Sequence, residues 1–409
     1  MSLRDAEGLL PKKHKNDIPK GTEPTIKWDG EKGYIDSPLL PDEPDPAIWA
    51  EIIKDWGLNP ELTDIVDGSV HIRGWDTNIG NGETQRMRYY RASIRKKQGN
   101  TDRADIEALC QDIMKRKPAK KLLPPSTGNR AFVVILSDWQ LGKGEGGGSE
   151  ATTQRIFLSY EIIAQRIKEL IKAGRGPATI YIAGLGDLCE QCDGHYAMQT
   201  FLADLDRRSQ MRLARRLIFQ LVEMLVNAFD IPIVLLAVPG NHGENRRNGK
   251  AFTTWTDNDD IAVFEQVGEI LLVNPEKYGK VSVPDFDKIL NADDLTATLD
   301  IAGVPCSFAH GHQFRNGANA QAKIEGWWKG QAMGRQPVAD AAILFSGHYH
   351  HFVCSEGTGR TIFQSPAMDG GSNWFTSSSG QSSPAGMITV GVGLDYGVRG
   401  WGDLLVIGE

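Results

Sequence analysis

The pattern of hydrophobic and polar positions divides the chain into four segments. Residues 1–45 are polar and rich in proline, which predicts an extended or disordered arm. Residues 46–117 carry apolar positions at helical spacing and at alternating spacing, which predicts a small α+β module. A polar linker, 118–129, leads into 130–409, where short apolar runs alternate with longer amphipathic segments. This alternation predicts a large domain in which strands and helices are mixed.

The individual elements follow from the same pattern. In the small module, helices are expected at 45–57 and 101–117, and strands at 69–75 and 87–94. In the large domain, the apolar runs predict strands at 131–137, 178–184, 231–238, 295–302, 304–309, 341–346 and near 360–365, 386–392 and 402–407. Amphipathic segments predict helices at 152–173, 201–227, 259–272 and 318–333. Helices that come early and paired strands that come late indicate mixed sheets covered by helices.

Composition narrows the class of protein. Hydrophobic residues make up 40% of the chain and charged residues 24%, as in an ordinary globular protein. No apolar run in the sequence has the length of a membrane span or the form of a secretory leader, so we expect a cytoplasmic protein without a membrane partner. The five cysteines are an odd number, which does not favour a disulfide framework. The lone pair Cys189 and Cys192 supplies only half of a structural zinc site.

The net charge of −7 excludes binding to nucleic acid through bulk charge, but basic clusters exist. Residues 91–121 hold ten Lys or Arg against four acids. Further arginines lie on one predicted face of the helix at 201–227 or directly after the motif GNHGE: Arg208, Arg212, Arg215, Arg246 and Arg247. Each cluster is either a solvated surface or a contact surface for a phosphate backbone.

Five predicted strands end in polar side chains that can bind a metal ion. These residues are Asp138 and Gln140, Asp187, Asn241 and His242, His310 and His312, and His348 and His350. In open α/β sheets, ligand sites form at the carboxyl ends of the strands, so these side chains are expected to meet. Carboxylates, imidazoles and an amide oxygen suit Mn²⁺, Fe or Zn²⁺, and the absence of thiolates from this set disfavours a structural zinc site.

The ordered motifs DWQ, GD, GNHGE, HGH and GHYH, between about 130 and 370, resemble those of the calcineurin-like metallophosphoesterase superfamily. The resemblance implies an α/β (α+β) fold, a four-layer αββα sandwich of two mixed sheets flanked by helices. It also implies two divalent cations, with Mn²⁺ expected and Mg²⁺, Fe or Zn²⁺ as alternatives. The implied ligands are Asp138, Gln140, Asp187 and His350 for the first ion, and Asp187, Asn241, His310 and His348 for the second.

The resemblance also implies the roles of single residues. Asp187 bridges the two ions, and His242 assists at the phosphate or the leaving group, while Glu190 and His312 are expected beside the ligands. Two positions depart from the family pattern. Gln140 stands where a histidine is usual, so the first ion is expected to be the more weakly held. Glu190 stands where the nuclease branch, the Mre11/SbcD type, often has a histidine.

The expected function is therefore metal-dependent hydrolysis of a phosphodiester, with water activated between two cations. The sequence favours a DNA nuclease that resembles the Mre11/SbcD branch, with DNA as its partner and no Rad50-like ATPase implied. The small module is a second candidate surface for nucleic acid, and the sequence indicates no oligomeric state. Two alternatives stay open: a phosphoprotein phosphatase or small-molecule phosphodiesterase on the same scaffold, and a non-catalytic interaction module that keeps the fold.

Overall fold

The computed structural model describes residues 25–28, 32–40, 42–56, 58, 60, 63–80, 83–96, 112–119, 122–196, 199–247, 249–315, 317–371 and 382–408. The chain divides into two compact units, one of 1–103 with 200–202 and one of 104–199 with 203–409. The helix predicted at 101–117 lies mostly outside the described residues. Of its range, 112–117 are described, and 112–115 are helical.

The smaller unit is an antiparallel sheet with one helix. Its elements are β1 (Ile26–Trp28), β2 (Lys32–Asp36), α1 (Pro46–Asp55), β3 (Thr63–Ile65), β4 (His71–Gly80) and β5 (Glu83–Lys96). The strand order is β1-β2-β5-β3, and β4 also pairs with β5. Helix α1 begins after Asp45, whose side chain accepts a hydrogen bond from the Ile48 backbone N–H. Apolar side chains of helix and sheet form the core of this unit, including Ile35, Trp49, Ile52, Ile53, Tyr90, Ala92 and Ile94.

The prediction of an extended or disordered arm at 1–45 needs correction for its described part. β1 and β2 lie inside that range, and β2 pairs with β5 along its whole length. These strands could not be recognised from the pattern of hydrophobic positions, because few side chains of this segment, Ile35 among them, are buried. Asp36 is buried in β2 and receives two hydrogen bonds from the Arg91 guanidinium, at 2.6 and 2.7 Å. Burial acts to raise the pKa of Asp36, but the hydrogen bonds from Arg91 and Thr25 outweigh it and lower that pKa.

The larger unit contains two six-stranded sheets, the two-stranded β9–β10 ladder and the helices around them. Its strands are β6 (Ala131–Leu136), β7 (Thr179–Gly184), β8 (Ile233–Ala237), β9 (Arg246–Arg247), β10 (Lys250–Ala251), β11 (Val281–Ser282), β12 (Leu290–Asn291), β13 (Thr296–Ile301), β14 (Val304–Ala309), β15 (Ile343–Ser346), β16 (Val353–Gly357), β17 (Arg360–Gln364), β18 (Gly386–Val392) and β19 (Trp401–Gly408). Its helices are α2 (Gly148–Lys172), α4 (Arg207–Ala228), α5 (Asp259–Leu272), α6 (Pro275–Tyr278), α7 (Phe286–Ile289) and α8 (Ala320–Met333), with 3-10 turns at Pro337–Asp340 and Leu394–Arg399. The short helix α3 (Gln199–Leu202) comes between α2 and α4 in the chain, and its residues 200–202 belong to the smaller unit.

Both six-stranded sheets are mixed. The first has the order β11-β8-β7-β6-β18-β19, in which β6, β7, β8 and β11 are parallel and β18 and β19 are antiparallel. The second has the order β12-β13-β14-β15-β17-β16, in which β14, β15 and β17 are parallel. The parallel strands of each sheet all end on the same side of that sheet. The predicted ligands come directly after these carboxyl ends.

The two sheets pack face to face between helices, so the predicted four-layer fold is confirmed. On the second sheet, alternate residues divide between two clusters. Phe308, Phe345 and Phe363 belong to the large core that also contains the first sheet and helices α2, α4 and α5. The residues that alternate with them, Ala309, Leu344 and Ile362, pack with Ile324 and Trp328 of α8. This period of two is what a sheet covered on both faces requires.

Most predicted elements of the larger unit are present, including the hairpin of β13 and β14 across Gly303. The helix predicted at 201–227 is instead two helices, α3 and α4, and the second begins after Asp206, whose side chain accepts from the Ser209 backbone N–H. Within the described ranges, no helix combines the length and the apolar character that a membrane span needs.

Candidate metal centre

The predicted ligands follow five strands, and most of them stand on sharply turned backbone. Five of these non-glycine residues have left-handed φ values: Asp138 (51°), Gln140 (44°), Asp187 (55°), His348 (71°) and His350 (59°). Such conformations cost on the order of 1–3 kcal/mol each, and they persist where the surrounding structure enforces them, often at functional sites. The turns direct side chains from the ends of both sheets into one region.

Asp187, His310 and His348 form the tightest group, since their ligand atoms lie within 4.8 Å of one another. The Nε2 atom of His310 is 3.0 Å from Asp187 Oδ2 and 3.1 Å from Asn241 Oδ1. The other ring nitrogen of His310 is 2.7 Å from the Leu185 carbonyl oxygen, so it donates there and Nε2 is left for a ligand. One carboxylate, two imidazoles and one amide oxygen fit a divalent cation.

The charges of this group depend on one another. Burial lowers the pKa of His310, but the Asp187 carboxylate outweighs it and raises the value to about 9. Burial opposes the ionisation of Asp187, yet the imidazoles of His310 and His242 hold its pKa well below the usual range. Burial lowers the pKa of His348 to about 4, which leaves this ring neutral, as a metal ligand must be.

Asp138 and His350 lie together at the other side of the site. Asp138 is fully buried, and its carboxylate accepts hydrogen bonds from the Ser137 hydroxyl and from the His348 backbone N–H. The Nε2 atom of His350 is 3.2 Å from Asp138 Oδ1, and its Nδ1 atom is 3.8 Å from Asp369 Oδ1. These contacts fix the orientation of two of the residues expected at the first ion.

Gln140 has a partner that the sequence did not predict. Its Oε1 atom accepts a hydrogen bond of 3.2 Å from the ammonium group of Lys143. Lys143 also pairs with the carboxylate of Asp369. Lys143 lies in the glycine-rich segment after the first motif, and Asp369 lies beyond the last one, so no motif or spacing connects them.

His242 is held on three sides. Its backbone N–H donates to Asp187 Oδ1 at 2.8 Å, and its Nδ1 atom is 2.8 Å from the Glu190 carbonyl oxygen. Its ring stacks on that of His195, with centroids 4.0 Å apart and planes 1° from parallel. Burial lowers the pKa of His195 to about 3, so that ring is neutral. No motif in the sequence indicates this stack of His195 on His242.

Glu190 and His312 lie close to His242 and His310, respectively. Glu190 is buried, accepts a hydrogen bond of 2.6 Å from the Tyr196 hydroxyl, and has a pKa raised by burial. The centroid of the His312 ring is 5.5 Å from that of His310, and its Nε2 atom is 3.8 Å from Glu244 Oε1. Burial lowers the pKa of His312 to about 3.

Asp260, at the start of α5, joins two of the ligand loops. Its Oδ2 atom accepts from the backbone N–H groups of Asp187 and Gly240, at 3.0 and 3.1 Å, and its Oδ1 atom accepts from Leu188 at 2.9 Å. Burial, together with the charge of Asp187, raises the pKa of Asp260 to about 7. A Cβ at position 240 would lie 2.3 Å from the Asp187 nitrogen, which explains the glycine there. In the sequence, Asp260 cannot be distinguished from an ordinary acidic residue in the first turn of a helix.

The predicted substrate arginines do not share one exposed surface. Arg208 is exposed, Arg212 is half-buried and Arg215 is buried, where it donates to Gln266 Oε1 at 2.9 Å. The predicted common face of α4 is therefore wrong at Arg215, because the helix turns that side chain toward α5.

The arginines after GNHGE differ from each other. Arg246 donates to Glu244 through Nε, at 2.9 Å, and through Nη2, at 2.7 Å. Arg247 is exposed and lies directly opposite Lys250, also exposed, in the β9–β10 ladder. Like charges directly opposite each other destabilise a sheet, so this pair is a marked cationic feature close to His242 in the sequence.

Comparison with models of protein families gives no match, and comparison with curated proteins gives none either. Among solved structures, a predicted phosphoesterase from Streptococcus pneumoniae TIGR4 is 11% identical, with 64% of this chain and 83% of that chain aligned and a TM-score of 0.26. Vacuolar protein sorting 29 from Cryptosporidium parvum is 13% identical over 64% and 86% of the two chains, with a TM-score of 0.29. A protein titled as a novel archaeal phosphodiesterase is 12% identical over 67% and 99%, with a TM-score of 0.29. These values are too low to support any statement about activity.

Proposed function

We infer that this chain, which has the four-layer fold and the ordered ligand motifs of the calcineurin-like metallophosphoesterase superfamily, hydrolyses phosphoesters with a bound divalent cation. The observation that carries the inference is the convergence of Asp187, His310 and His348, whose ligand atoms lie within 4.8 Å of one another. These three residues follow strands of both sheets and are far apart in the chain, so only the fold brings them together.

The cation would be held by Asp187, Asn241, His310 and His348. When bound, it supplies Lewis acidity that activates water and neutralises charge on the phosphoryl oxygens. Mn²⁺ is the expected ion because the ligands mix oxygen and imidazole nitrogen. The number of ions bound depends on the first position, where Gln140 contacts Lys143.

The protein's own residues then orient the reacting groups. The contact of His242 Nδ1 with the Glu190 carbonyl oxygen leaves Nε2 as the atom that exchanges a proton with the substrate. The hydrogen bond from the His242 backbone to Asp187 ties this residue to one that would hold the cation, which keeps the imidazole next to the group of ligands. Asp260 holds the backbone of the same two loops.

We propose that the substrate is a nucleic acid, as in a DNA nuclease of the Mre11/SbcD type. The pair of Arg247 and Lys250 supports this, since two exposed cations held opposite each other suit a run of phosphates better than one phosphate group. Arg208 is a further exposed cation in the larger unit. The small module is proposed as a second contact surface for the nucleic acid.

The test is a panel of Mn²⁺-dependent activities on linear DNA, circular DNA, a bis-aryl phosphate ester and a phosphopeptide. We expect cleavage of DNA and of the bis-aryl ester, and Asp187→Asn as the matched control should abolish both while the fold persists. Turnover of the phosphopeptide alone would replace the nuclease proposal by a phosphoprotein phosphatase. Hydrolysis that persists without metal would refute the metal dependence. Absence of hydrolysis of every substrate by folded protein would refute the hydrolase proposal and favour a non-catalytic interaction module.

A further inference from the structure

The ammonium group of Lys143 lies among the residues expected to hold the first of two cations. It donates to Gln140 Oε1 at 3.2 Å and pairs with Asp369. Asp369 Oδ1 in turn lies 3.8 Å from the Nδ1 atom of His350, another residue of that set. Lys143 is 9% exposed and Asp369 is 4% exposed, so the pair is a built part of the interior. Lysine is rarely buried to this degree unless its charge has a defined partner.

The two expected ion positions differ in how well their ligands converge. Asp187, His310 and His348 bring three ligand atoms within 4.8 Å of one another. No second group of three carboxylate or imidazole ligands converges in this way in the part of the chain that the structure describes. At the first position Gln140 instead contacts a cation that the chain itself provides, and His350 lies 3.8 Å from the carboxylate that pairs with the same cation.

A protonated lysine in contact with an expected ligand also opposes a second divalent cation by charge. Both would compete for the same amide oxygen, and like charges this close repel each other strongly inside a protein. Gln140, which replaces a stronger imidazole ligand, fits this arrangement because a neutral amide oxygen is a good acceptor for an ammonium group.

We propose that Lys143 takes the place of the first cation, so that the chain binds a single divalent ion, at Asp187, Asn241, His310 and His348. This proposal rests on the proposed phosphoester hydrolysis. An ammonium group has three N–H donors, and its contacts to Gln140 and Asp369 use two of them. This leaves the third for a substrate phosphoryl oxygen, whose negative charge Lys143 would neutralise as a metal ion does.

The experiment measures how many Mn²⁺ ions the purified full chain binds, by native mass spectrometry and by metal analysis. Electron paramagnetic resonance then separates an isolated Mn²⁺ from a spin-coupled pair. The variants are Lys143→Met, the double variant Lys143→Met/Gln140→His, and Lys168→Met as a control that removes an exposed lysine of α2. Circular dichroism checks that each variant is folded, and the double variant supplies a stronger ligand set if the single one binds poorly.

We expect one ion and an isolated Mn²⁺ signal in the wild type and in Lys168→Met. The double variant should bind two ions and give the signal of a coupled pair. Two ions in the wild type would overturn the role of Lys143 while leaving the proposed hydrolysis intact, and one ion in the folded double variant would overturn it as well. No ion in the folded wild type would instead refute the proposed metal-dependent function on which the inference depends.

Discussion

Replacing Asp260 by asparagine should weaken metal binding without removing any ligand. The carboxylate accepts three backbone hydrogen bonds, from Asp187, Leu188 and Gly240. An amide has one acceptor oxygen, which can serve the two N–H groups now bonded to Oδ2. The third donor then stays buried without a partner, which costs about 1–3 kcal/mol of the free energy of unfolding. With a denaturant slope of about 3 kcal/mol/M, the urea midpoint should fall by roughly 0.3–1 M.

The effect on metal binding should be comparable in free energy to the effect on the fold, because each tenfold change in affinity corresponds to about 1.4 kcal/mol. Residues that orient a ligand through hydrogen bonds typically change metal affinity about 10- to 100-fold when they are mutated, and we expect that range for Mn²⁺. Isothermal titration with Mn²⁺ measures this affinity, at a pH above the Asp260 pKa of about 7, so that the wild-type carboxylate is charged.

The matched control is the neighbouring residue. Asp259 is equally buried, but its carboxylate receives hydrogen bonds from the Arg207 guanidinium, at 2.9 and 2.6 Å, and from the Gln191 side chain, and none from the backbone of a predicted ligand. Asp259→Asn should therefore lower the urea midpoint and leave the Mn²⁺ affinity unchanged. If Asp260→Asn binds Mn²⁺ as tightly as the wild type, or if both variants weaken it equally, the role of Asp260 as a support of the loops is refuted.

Three further outcomes are expected. His195→Ala should lower kcat about 10-fold with unchanged metal binding, since it removes the ring on which the imidazole of His242 stacks, whereas His195→Phe should retain most of the activity. An equal loss in both variants would contradict a role in stacking. Charge reversal of Arg247 and Lys250 to Glu should lower DNA affinity and reduce the slope of log affinity against log salt concentration by about 1–2. An unchanged slope in filter-binding measurements would exclude the two residues from the phosphate contact. Because the pKa of Asp36 is lowered in the folded state, the stabilisation from its pair with Arg91 is present above the unfolded pKa of about 4 and is lost as the pH falls through the folded pKa. Thermal melts of Arg91→Met should no longer show this dependence of stability on pH, and the stability at neutral pH should fall by about 3–5 kcal/mol. An unchanged dependence of stability on acidic pH in this variant would contradict the pairing.

The sequence was informative where one physical signal dominates. Buried parallel strands are continuous apolar runs, so β6, β7 and β8 could be predicted closely, together with the polar residues that follow them. The fold class followed from the same pattern and from the order of the motifs. Short polar strands such as β1 and β2 carry no such signal and were missed.

The sequence was less informative where a side chain could be either solvated or buried, or where its partner lies far away in the chain. Arg215 fits either face of α4, since a long side chain beside an apolar stripe can be solvated or buried, and only the contact with Gln266 decides. The pair of Lys143 and Asp369 joins positions far apart in the chain, and neither residue belongs to a motif. Asp260 is typical of a first helical turn, where acids are favoured by the helix dipole alone.

The origin of the ligands in both sheets links ion binding to the resistance of the fold to unfolding. Asp187 and Asn241 follow strands of the first sheet, whereas His310 and His348 follow strands of the second. A cation held by these four residues would therefore link the two sheets, and separating the sheets would require its coordination bonds to break. Free ion at about 100 times its dissociation constant would add about 2.7 kcal/mol to the free energy of unfolding. A chelator should therefore shorten the lifetime of the folded protein toward proteases, and slow amide exchange should be lost first along the edge where the two sheets meet the ion.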